Sequence, residues 1–468
     1  MWVVSLIIFL VFLAVILLIV FNVINRAVAA MAGALVCFFT LTFLAKVPLS
    51  LIMGYIVGTA EDSYGNFKTL ILVMGIMFIV EISHEGGVFQ FIAFKLIQFT
   101  KGRPTLLLFV FCLISVLMAG ILNNVLTVMV MVPLTISVAR ILNIDPTPYI
   151  LSEAVLVNQG ATIFSFSSIP NILIVNYTGI TFAEFFLNVG VLSLIISVLT
   201  ICFFLLVFQK KLMPPKGGLE ILLEFNVWNF VPNRSLMKSS SLVLILVIIG
   251  FIVIPSTLLG SEIISLLGAV VLIIISRTDV KILFKKIDFE LLVYLFAIFL
   301  ISGALEYTGL LESLGNLLLK LTMGDLYKTL LFILWGSAYI GSNIDNIPIT
   351  KILLPVTDNM TEGFTFAQKR FIYYGLTFGA NWGDNLNPMG DNIIVFNVAE
   401  QNKTKLQVKD FFILGFVTTN FQLLLLTIYF SYLINWVSGL MLTGITVILI
   451  AVVIFAIRKK KGTQKIKS

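Results

Sequence analysis

The sequence predicts an all-α polytopic membrane protein made of two inverted repeats, each with a re-entrant hairpin and a discontinuous helix. Hydrophobic residues make up 59% of the 468 positions and charged residues 11%, a balance that no soluble globular class matches. Apolar runs recur along the chain, and polar breaks interrupt them at matching places in the two halves.

The apolar runs differ in length. A helix needs about 20 residues to cross a bilayer, and several runs are shorter, so we expect about 10 to 13 membrane segments that include hairpins and broken helices. No Lys or Arg precedes the first run and no small-residue cleavage site follows it, which favours a retained helix over a signal peptide. The runs span 3–22, 27–45, 68–83, 104–122, 125–139, 149–158, 185–208, 241–256, 260–276, 289–304, 328–341, 371–379, 411–434 and 436–457.

A polar central segment divides the chain. Basic residues cluster in this segment, before residue 289 and after residue 457, and the positive-inside rule places these three regions on the cytoplasmic side of the cell membrane. The predicted units are N-terminal scaffold helices (1–67), a first repeat (68–208), a cytoplasmic linker (209–240), further scaffold helices (241–288), a second repeat (289–435), a C-terminal helix (436–457) and a basic cytoplasmic tail (458–468).

A nearly constant offset relates the two halves. Asn346 follows Asn124 by 222 residues, and Asn392 follows Asn171 by 221. The loop 59–67 carries two acidic residues and no basic one, whereas four bases lie in its counterpart before residue 289. Equivalent loops are therefore predicted to face opposite sides of the membrane. Inverted repeats with broken helices are typical of secondary transporters.

The most informative stretch is the break at 379–392, which packs four Asn, two Asp, three Gly and one Pro into fourteen positions. Backbone groups in hydrocarbon must be satisfied internally, so such a break is tolerated only where it is buried in protein or lines a cavity. We therefore expect a binding site here.

Three carboxylates adjoin the polar stretches of the second half: Asp345, Asp384 and Asp391. A carboxylate within the bilayer is costly unless it faces a cavity or a partner, so these are candidate ion or proton sites. The alternative is a helix N-cap role, especially for Asp391, which opens an apolar run. Lys351 is predicted to compensate charge or to reach an interface, and Glu153 to carry a proton or to lie at an interface.

Neutral oxygens surround these charges. They suit the coordination of Na⁺ or the binding of an anion, and the alternative is structural hydrogen bonding that ties broken backbone together. Sodium is expected at Asn124, Asp345, Asn346 and Asp384. The predicted neutral site residues are Asn123, Asn124, Asn158, Thr162, Ser165, Ser168, Asn171, Asn346, Asn381, Asn385, Asn387 and Asn392.

The paired motifs resemble the ion transporter superfamily, which includes arsenite permeases, NhaD-type sodium/proton antiporters, the P protein, and citrate and dicarboxylate carriers. The resemblance spans roughly 68–435. It is carried by Glu85-Gly-Gly-Val-Phe-Gln-Phe-Ile-Ala-Phe-Lys, Lys101-Gly-Arg-Pro104, Asn123-Asn-Val, the stretch 160–171, and the second-half copies.

This resemblance implies that Asn124 and Asn346 lie at the tips of two re-entrant hairpins, and that 160–171 and 379–392 are breaks in two discontinuous helices. It also implies an elevator-like movement of a transport domain against a scaffold. The Ser-Asn-Thr tips of the dicarboxylate branch are absent. Ser168 stands where relatives of the P protein carry Asp before Pro-Pro-Asn, which argues against a cation ligand there.

The expected function is secondary transport. Three aspartates against Lys351 give the cavity a net negative charge, which favours proton-linked Na⁺ transport, specifically Na⁺/H⁺ antiport at Asp345 and Asp384. The alternatives are a Na⁺- or H⁺-coupled carrier of citrate, dicarboxylate, sulfate or another oxyanion, an arsenite efflux permease, and, more remotely, a channel or a non-transporting subunit. No enzyme motif occurs. We expect no cofactor beyond the coupling ion, a lipid bilayer and a small ion or anion as partners, a homodimer by analogy, and no nucleic acid.

Overall fold

The computed structural model describes residues 2–21, 23–60, 63–215, 226–255, 258–277, 280–388 and 392–448, together with positions 217, 220 and 224. Helices make up its regular structure, and the described residues contain no strand. The first half contains α1 (Trp2–Val20), α2 (Arg26–Leu44), α3 (Leu49–Val57), α4 (Gly65–Gly86), α5 (Val88–Phe99), α6 (Pro104–Ala119), α7 (Asn124–Leu142), α8 (Thr147–Gly160), α9 (Ile169–Thr178) and α10 (Phe182–Phe208).

The second half begins after the central segment. It contains α11 (Arg234–Val253), α12 (Ser261–Ser276), α13 (Val280–Lys286), α14 (Phe289–Tyr307), α15 (Leu310–Thr322), α16 (Leu326–Gly341), α17 (Asn346–Met360), α18 (Phe366–Trp382), α19 (Ile393–Gln401), α20 (Val408–Ile434) and α21 (Trp436–Ile448).

Eight of the described helices are long and apolar enough to cross a membrane: α1, α2, α4, α7, α10, α11, α14 and α20. Four more are apolar but shorter, namely α5, α6, α12 and α21. The prediction of an all-α polytopic membrane protein is therefore confirmed. The mixture of full-length and short apolar helices follows the uneven run lengths of the sequence.

Two helix pairs turn back tightly at the predicted tips. Asn123 caps α7 by accepting a 2.8 Å hydrogen bond from Leu126 N, and Asp345 caps α17 by accepting one of 3.0 Å from Ile347 N. A four-residue turn (120–123 or 342–345) precedes each capped helix. The sequence repeat thus becomes a repeat of local structure, because the same cap position ends the same kind of turn.

Two helices are interrupted where the sequence predicts breaks. The first break separates α8 from α9 over 161–168, and the second separates α18 from α19 over 383–392. Of the second break, positions 389–391 lie outside the described residues. Each break lies directly against a long helix, α10 or α20.

Glycines permit this close approach. A side chain at Gly190 of α10 would overlap the carbonyl of Ile163 in the first break, and one at Gly415 of α20 would overlap the carbonyl of Asn385 in the second. Each long helix therefore supports one break.

The two halves interlock reciprocally. α9 packs against α17, and α19 packs against α7, so the far arm of each broken helix contacts the hairpin of the other half. Outside this centre, α4 packs with α11 and α12, while α14 packs with α1, α2 and α3. α8 occupies the interior, since every residue from Pro148 to Gly160 is buried. The inverted orientation of the repeats stays a prediction.

Candidate functional site

Asn171, in the first turn of α9, closes the first break. Its Nδ2 donates to the carbonyl oxygens of Ala161 at 2.8 Å and Phe164 at 3.1 Å. Interrupting a helix leaves such carbonyls without their usual partners. The buried amide of Asn171 therefore replaces hydrogen bonds that a continuous helix would have made.

Asn392 does the same for the second break. Its Nδ2 donates to the carbonyl oxygens of Asp384 at 2.8 Å and Asn387 at 3.0 Å. The three residues of this arrangement correspond one by one to those of the first break. The repeat thus extends to individual hydrogen bonds.

The remaining amide atoms tie the two breaks together. Asn381 Nδ2, at the end of α18, donates to Asn171 Oδ1 at 2.8 Å. Reciprocally, Asn158 Nδ2, at the end of α8, donates to Asn392 Oδ1 at 3.3 Å and to Asn385 Oδ1 at 2.8 Å. All five side chains are buried. Each break is therefore held by the other half of the molecule.

The hairpin tips join the same network. Asn124 Nδ2 donates to Asn158 Oδ1 at 2.7 Å, and Asn346 Nδ2 donates to Asp384 Oδ2 at 2.7 Å. The two halves differ here, because Ala161 of the first half occupies the position that corresponds to Asp384 of the second. We call the connected group the amide cluster, and its members are Asn124, Asn158, Asn346, Asp384, Asn385 and Asn392.

The first break also contains hydroxyl groups. Thr162 Oγ1 accepts a 3.0 Å hydrogen bond from Trp382 Nε1 and lies 2.7 Å from Ser193 Oγ on α10. Ser165 is buried. Ser168 Oγ and Asn124 Oδ1 are buried atoms that have no hydrogen-bond partner among the described residues. These two oxygens are thus available to a ligand.

The three predicted carboxylates have different surroundings. Asp384 is half-buried within the amide cluster. Asp345 caps α17, and its Oδ2 lies 3.5 Å from Arg26 Nη1 at the start of α2. Asp391 lies outside the described residues. The structure therefore brings Asp384 into the cluster and pairs Asp345 with a cation.

The predicted coupling residues lie apart from these bonds. Lys351 Nζ donates to Asn66 Oδ1 at 2.8 Å and lies 5.1 Å from the ring centroid of Phe299. Glu153 is buried on α8 and accepts a 2.7 Å hydrogen bond from Thr135 Oγ1. Both make contacts that sequence spacing did not indicate.

Sequence reasoning missed three residues of this region. Trp382 lies inside the predicted break, so its position was a usable signal. Ser193 is one of two serines in the apolar helix α10, and nothing in its neighbourhood distinguishes it. Arg26 lies some 320 residues before Asp345, and no spacing rule connects them.

The site offers carboxylate, amide and hydroxyl oxygens, which suit hard cations such as Na⁺. The amide N–H groups would suit an oxyanion, but those of Asn158, Asn171, Asn381 and Asn392 already donate within the protein. Oxygens are thus the groups that the described site leaves available.

The sequence is similar to those of known membrane proteins. The sequence profile of the citrate transporter family (CitMHS) matches residues 16–379 and 256–464. The chain is 25% identical over 409 residues to the 46 kDa membrane protein of Mycobacterium leprae, covering 87% of this chain and 93% of that protein. It is 26% identical over 480 residues to the P protein of Mus musculus, covering 85% of this chain and 56% of that protein.

The fold is also similar to a solved transporter structure. The crystal structure of the YdaH transporter of Alcanivorax borkumensis superposes with a TM-score of 0.60 at 14% identity, covering 82% of this chain and 88% of that one. At this identity the likeness concerns the fold alone. Because the family profile covers most of the sequence, the chain belongs to the citrate transporter family and is a multi-pass membrane transporter.

Proposed function

We propose that this chain is a Na⁺/H⁺ antiporter that works by elevator-like alternating access, with Na⁺ bound beside Asp384. The observation that carries the proposal is the amide cluster, in which Asp384 is the ionisable side chain and Asn124 Oδ1 is a buried oxygen without a hydrogen-bond partner among the described residues. Ser168 Oγ is a second such oxygen. In this proposal Na⁺ is bound by Asp384 together with these two oxygens.

The first break and the first tip already touch. Ser167 Oγ donates to the carbonyl oxygen of Gly120, which lies four residues before Asn124. Ser168 and Asn124 thus belong to one junction between tip and break. This contact supports a shared ligand, to which Ser168 would contribute its hydroxyl although it replaces the Asp that P protein relatives carry there.

Asp345 enters the proposal as the second carboxylate. Its present partner, Arg26, belongs to the N-terminal helices, whereas Asp345 belongs to the second hairpin. If the hairpins move against those helices, the ion pair breaks and the carboxylate becomes available. Movement and cation affinity would then be linked, because a ligand shifts a conformational equilibrium only by its difference in affinity for the two states.

An anion carrier is the second candidate, and the description of the family as citrate transporters favours it. An unaccompanied multivalent anion would be repelled by Asp384. A cation bound first would cancel that charge and allow an anion to bind beside it. The two candidates therefore differ in whether an anion must accompany the cation.

The orientation in the membrane is part of the proposal. Trp228 of the central segment packs on Phe91 of α5, and Lys286 pairs with Glu85 at the end of α4. Because α4 and α5 meet at Gly87, these contacts bring the two basic regions to the same end of the molecule. We assign that end to the cytoplasm.

The test uses purified protein in proteoliposomes that contain a pH-sensitive dye. After a proton gradient is imposed, Na⁺, Li⁺ or K⁺ is added as chloride to vesicles with wild type, Asp384→Asn or Asp325→Asn. Asp325 is the matched control, because it is an exposed N-cap aspartate at the start of α16. We expect Na⁺ to dissipate the gradient saturably with wild type and Asp325→Asn, and not with Asp384→Asn.

The opposite results point elsewhere. Equal flux through Asp384→Asn would remove Asp384 from the cation site. If no cation acts on wild type, citrate, succinate, sulfate and arsenite are added in turn with Na⁺ present. Uptake of one of them would replace antiport by the anion carrier.

A further inference from the structure

The carboxyl group of Glu153 lies deep inside the protein. Glu153 is 1% exposed on α8, whose residues from Pro148 to Gly160 are all buried. It precedes Asn158 of the amide cluster by five residues, which is about 7.5 Å along a helix. The carboxyl group is thus close to the cluster without belonging to its hydrogen bonds.

One hydrogen bond serves this carboxyl group. Thr135 Oγ1 of α7 donates to Oε1 at 2.7 Å, while Oε2 is buried and has no partner among the described residues. A buried ionised carboxylate normally needs a counter-charge or several donors. These surroundings suit a neutral acid better than an ionised carboxylate.

Among the described residues, no Lys, Arg or His forms an ion pair with Glu153, and Asp384 of the second break, which packs against α8, is itself acidic. Tyr149 lies one turn earlier on α8 and packs edge-on against Phe111. The charged groups of the neighbouring helices make other contacts. Arg140 of α7 donates to the carbonyl of Asn402, Lys369 and Arg370 of α18 pair with Asp358 and Glu184, and Lys409 and Asp410 lie at the exposed start of α20.

The second half shows that packing does not require an acid here. Leu376 of α18 follows Glu153 by 223 residues, the same offset that relates Asn158 to Asn381, and it is fully buried. Thr357 corresponds to Thr135, and its buried Oγ1 has no partner among the described residues. A leucine thus fills the same place in the repeat, while the threonine hydroxyl has a carboxyl partner only in the first half.

From this asymmetry we propose that Glu153 binds the proton that is exchanged for Na⁺. This inference rests on the proposed antiport and deepens it. In the described conformation the O–H bond of the acid is intact. When the contact between α8 and the first hairpin admits water, that bond breaks, the proton passes to water, and the carboxylate charge compensates the Na⁺ that binds at the nearby cluster. Loss of one proton and gain of one Na⁺ leave the net charge of the region unchanged.

The functional arm of the test compares Glu153→Gln with wild type in the same vesicles. Glutamine keeps the size and cannot release a proton. We expect Glu153→Gln to lose Na⁺-driven proton movement by at least tenfold, whereas it should still exchange radioactive Na⁺ for unlabelled Na⁺, because that exchange moves no proton. Glu153→Leu, which copies Leu376 of the other half, serves as the second variant if the glutamine variant fails to fold.

The spectroscopic arm does not depend on transport. Infrared spectra of protein in nanodiscs, recorded in H₂O and D₂O, should contain a protonated-carboxyl band that Glu153→Gln removes. Thr135→Val should shift this band, since it deletes the donor to Oε1. Thr357→Val is the matched control in the other half and should leave the band in place.

The outcomes separate the two proposals. If wild type couples Na⁺ to protons and Glu153→Gln does so equally well, Glu153 is not the proton carrier, and the antiport stands. If wild type moves no proton with any cation, both proposals fall. Absence of the protonated-carboxyl band would also overturn the assignment to Glu153.

Discussion

The side-chain amide of Asn381 donates a 2.8 Å hydrogen bond to Asn171 Oδ1 and so ties the second broken helix to the first. Asn171 in turn donates to the backbone of its own break. Loss of Asn381 therefore leaves a buried acceptor unpaired at a place where broken backbone already depends on one residue.

We expect Asn381→Ala to lower the free energy of unfolding by about 1–3 kcal/mol, because a buried polar group loses its partner. Thermal unfolding in detergent, monitored by size-exclusion chromatography, measures the change in stability. Asn343→Ala is the control, since Asn343 is exposed and donates to its chain neighbours Tyr339 and Ser342. Equal unfolding temperatures for the two variants would contradict the role of Asn381.

The glycine contacts give a second prediction. Gly415→Ala would overlap the carbonyl of Asn385, and overpacking of this kind costs about 1–3 kcal/mol. Because Asn385 accepts from Asn158, the displaced backbone should also weaken Na⁺ binding. Gly444→Ala in α21 meets open space and is the matched control. Scintillation proximity with radioactive Na⁺ compares the affinities, and unchanged affinity in Gly415→Ala would argue against a site at this break.

Loss of the contact between Arg26 and Asp345 should shift the conformational equilibrium of the protein and should not greatly lower its stability. A part-exposed ion pair contributes about 0–1 kcal/mol, so Arg26→Gln should change the ratio of two conformations by up to roughly fivefold. Spin labels at Val28 and Ile340, which are both exposed, would report this as a change in distance distribution. The exposed Lys320→Gln should leave the distribution unchanged, and an unaltered distribution in Arg26→Gln would exclude the contact as a conformational determinant.

The central segment and the basic region before residue 289 lie at the same end of the molecule, so cysteines placed in them should be labelled from the same side of the membrane. In a background in which the exposed Cys202 is replaced by Ser, Gly217→Cys and Lys281→Cys should react with an impermeant thiol reagent from the cytoplasmic side. Thr59→Cys, in the acidic loop, should react from the opposite side. Labelling of all three from one side would refute the inversion that the loop charges indicate.

Much of the site could be predicted from the sequence because the two halves carry the same residue types at matching positions. Asn124 and Asn346, and likewise Asn171 and Asn392, recur at almost one offset, and Gly, Pro and Asn interrupt apolar runs where breaks occur. The bonds between the halves could not be read in this way. Asn158 reaches Asn392 across 234 positions, and no local pattern encodes that distance.

The carboxylates show the same limit. Asp345 and Asp384 look alike in sequence, since each directly precedes an asparagine. The structure separates them, because Asp345 lies beside Arg26 and Asp384 lies beside Asn346. Which aspartate joins the amide cluster depends on partners from distant helices.

The reciprocal bonds between the breaks have a consequence for biosynthesis. The partner of Asn171 is made 210 residues later, and a ribosome adds about 5–20 residues per second, so the first break waits roughly 10–40 s for Asn381. During that interval, water or the insertion machinery must satisfy its polar groups. The rate of translation through the second half thus governs how long the unpaired first break is exposed to cellular quality control.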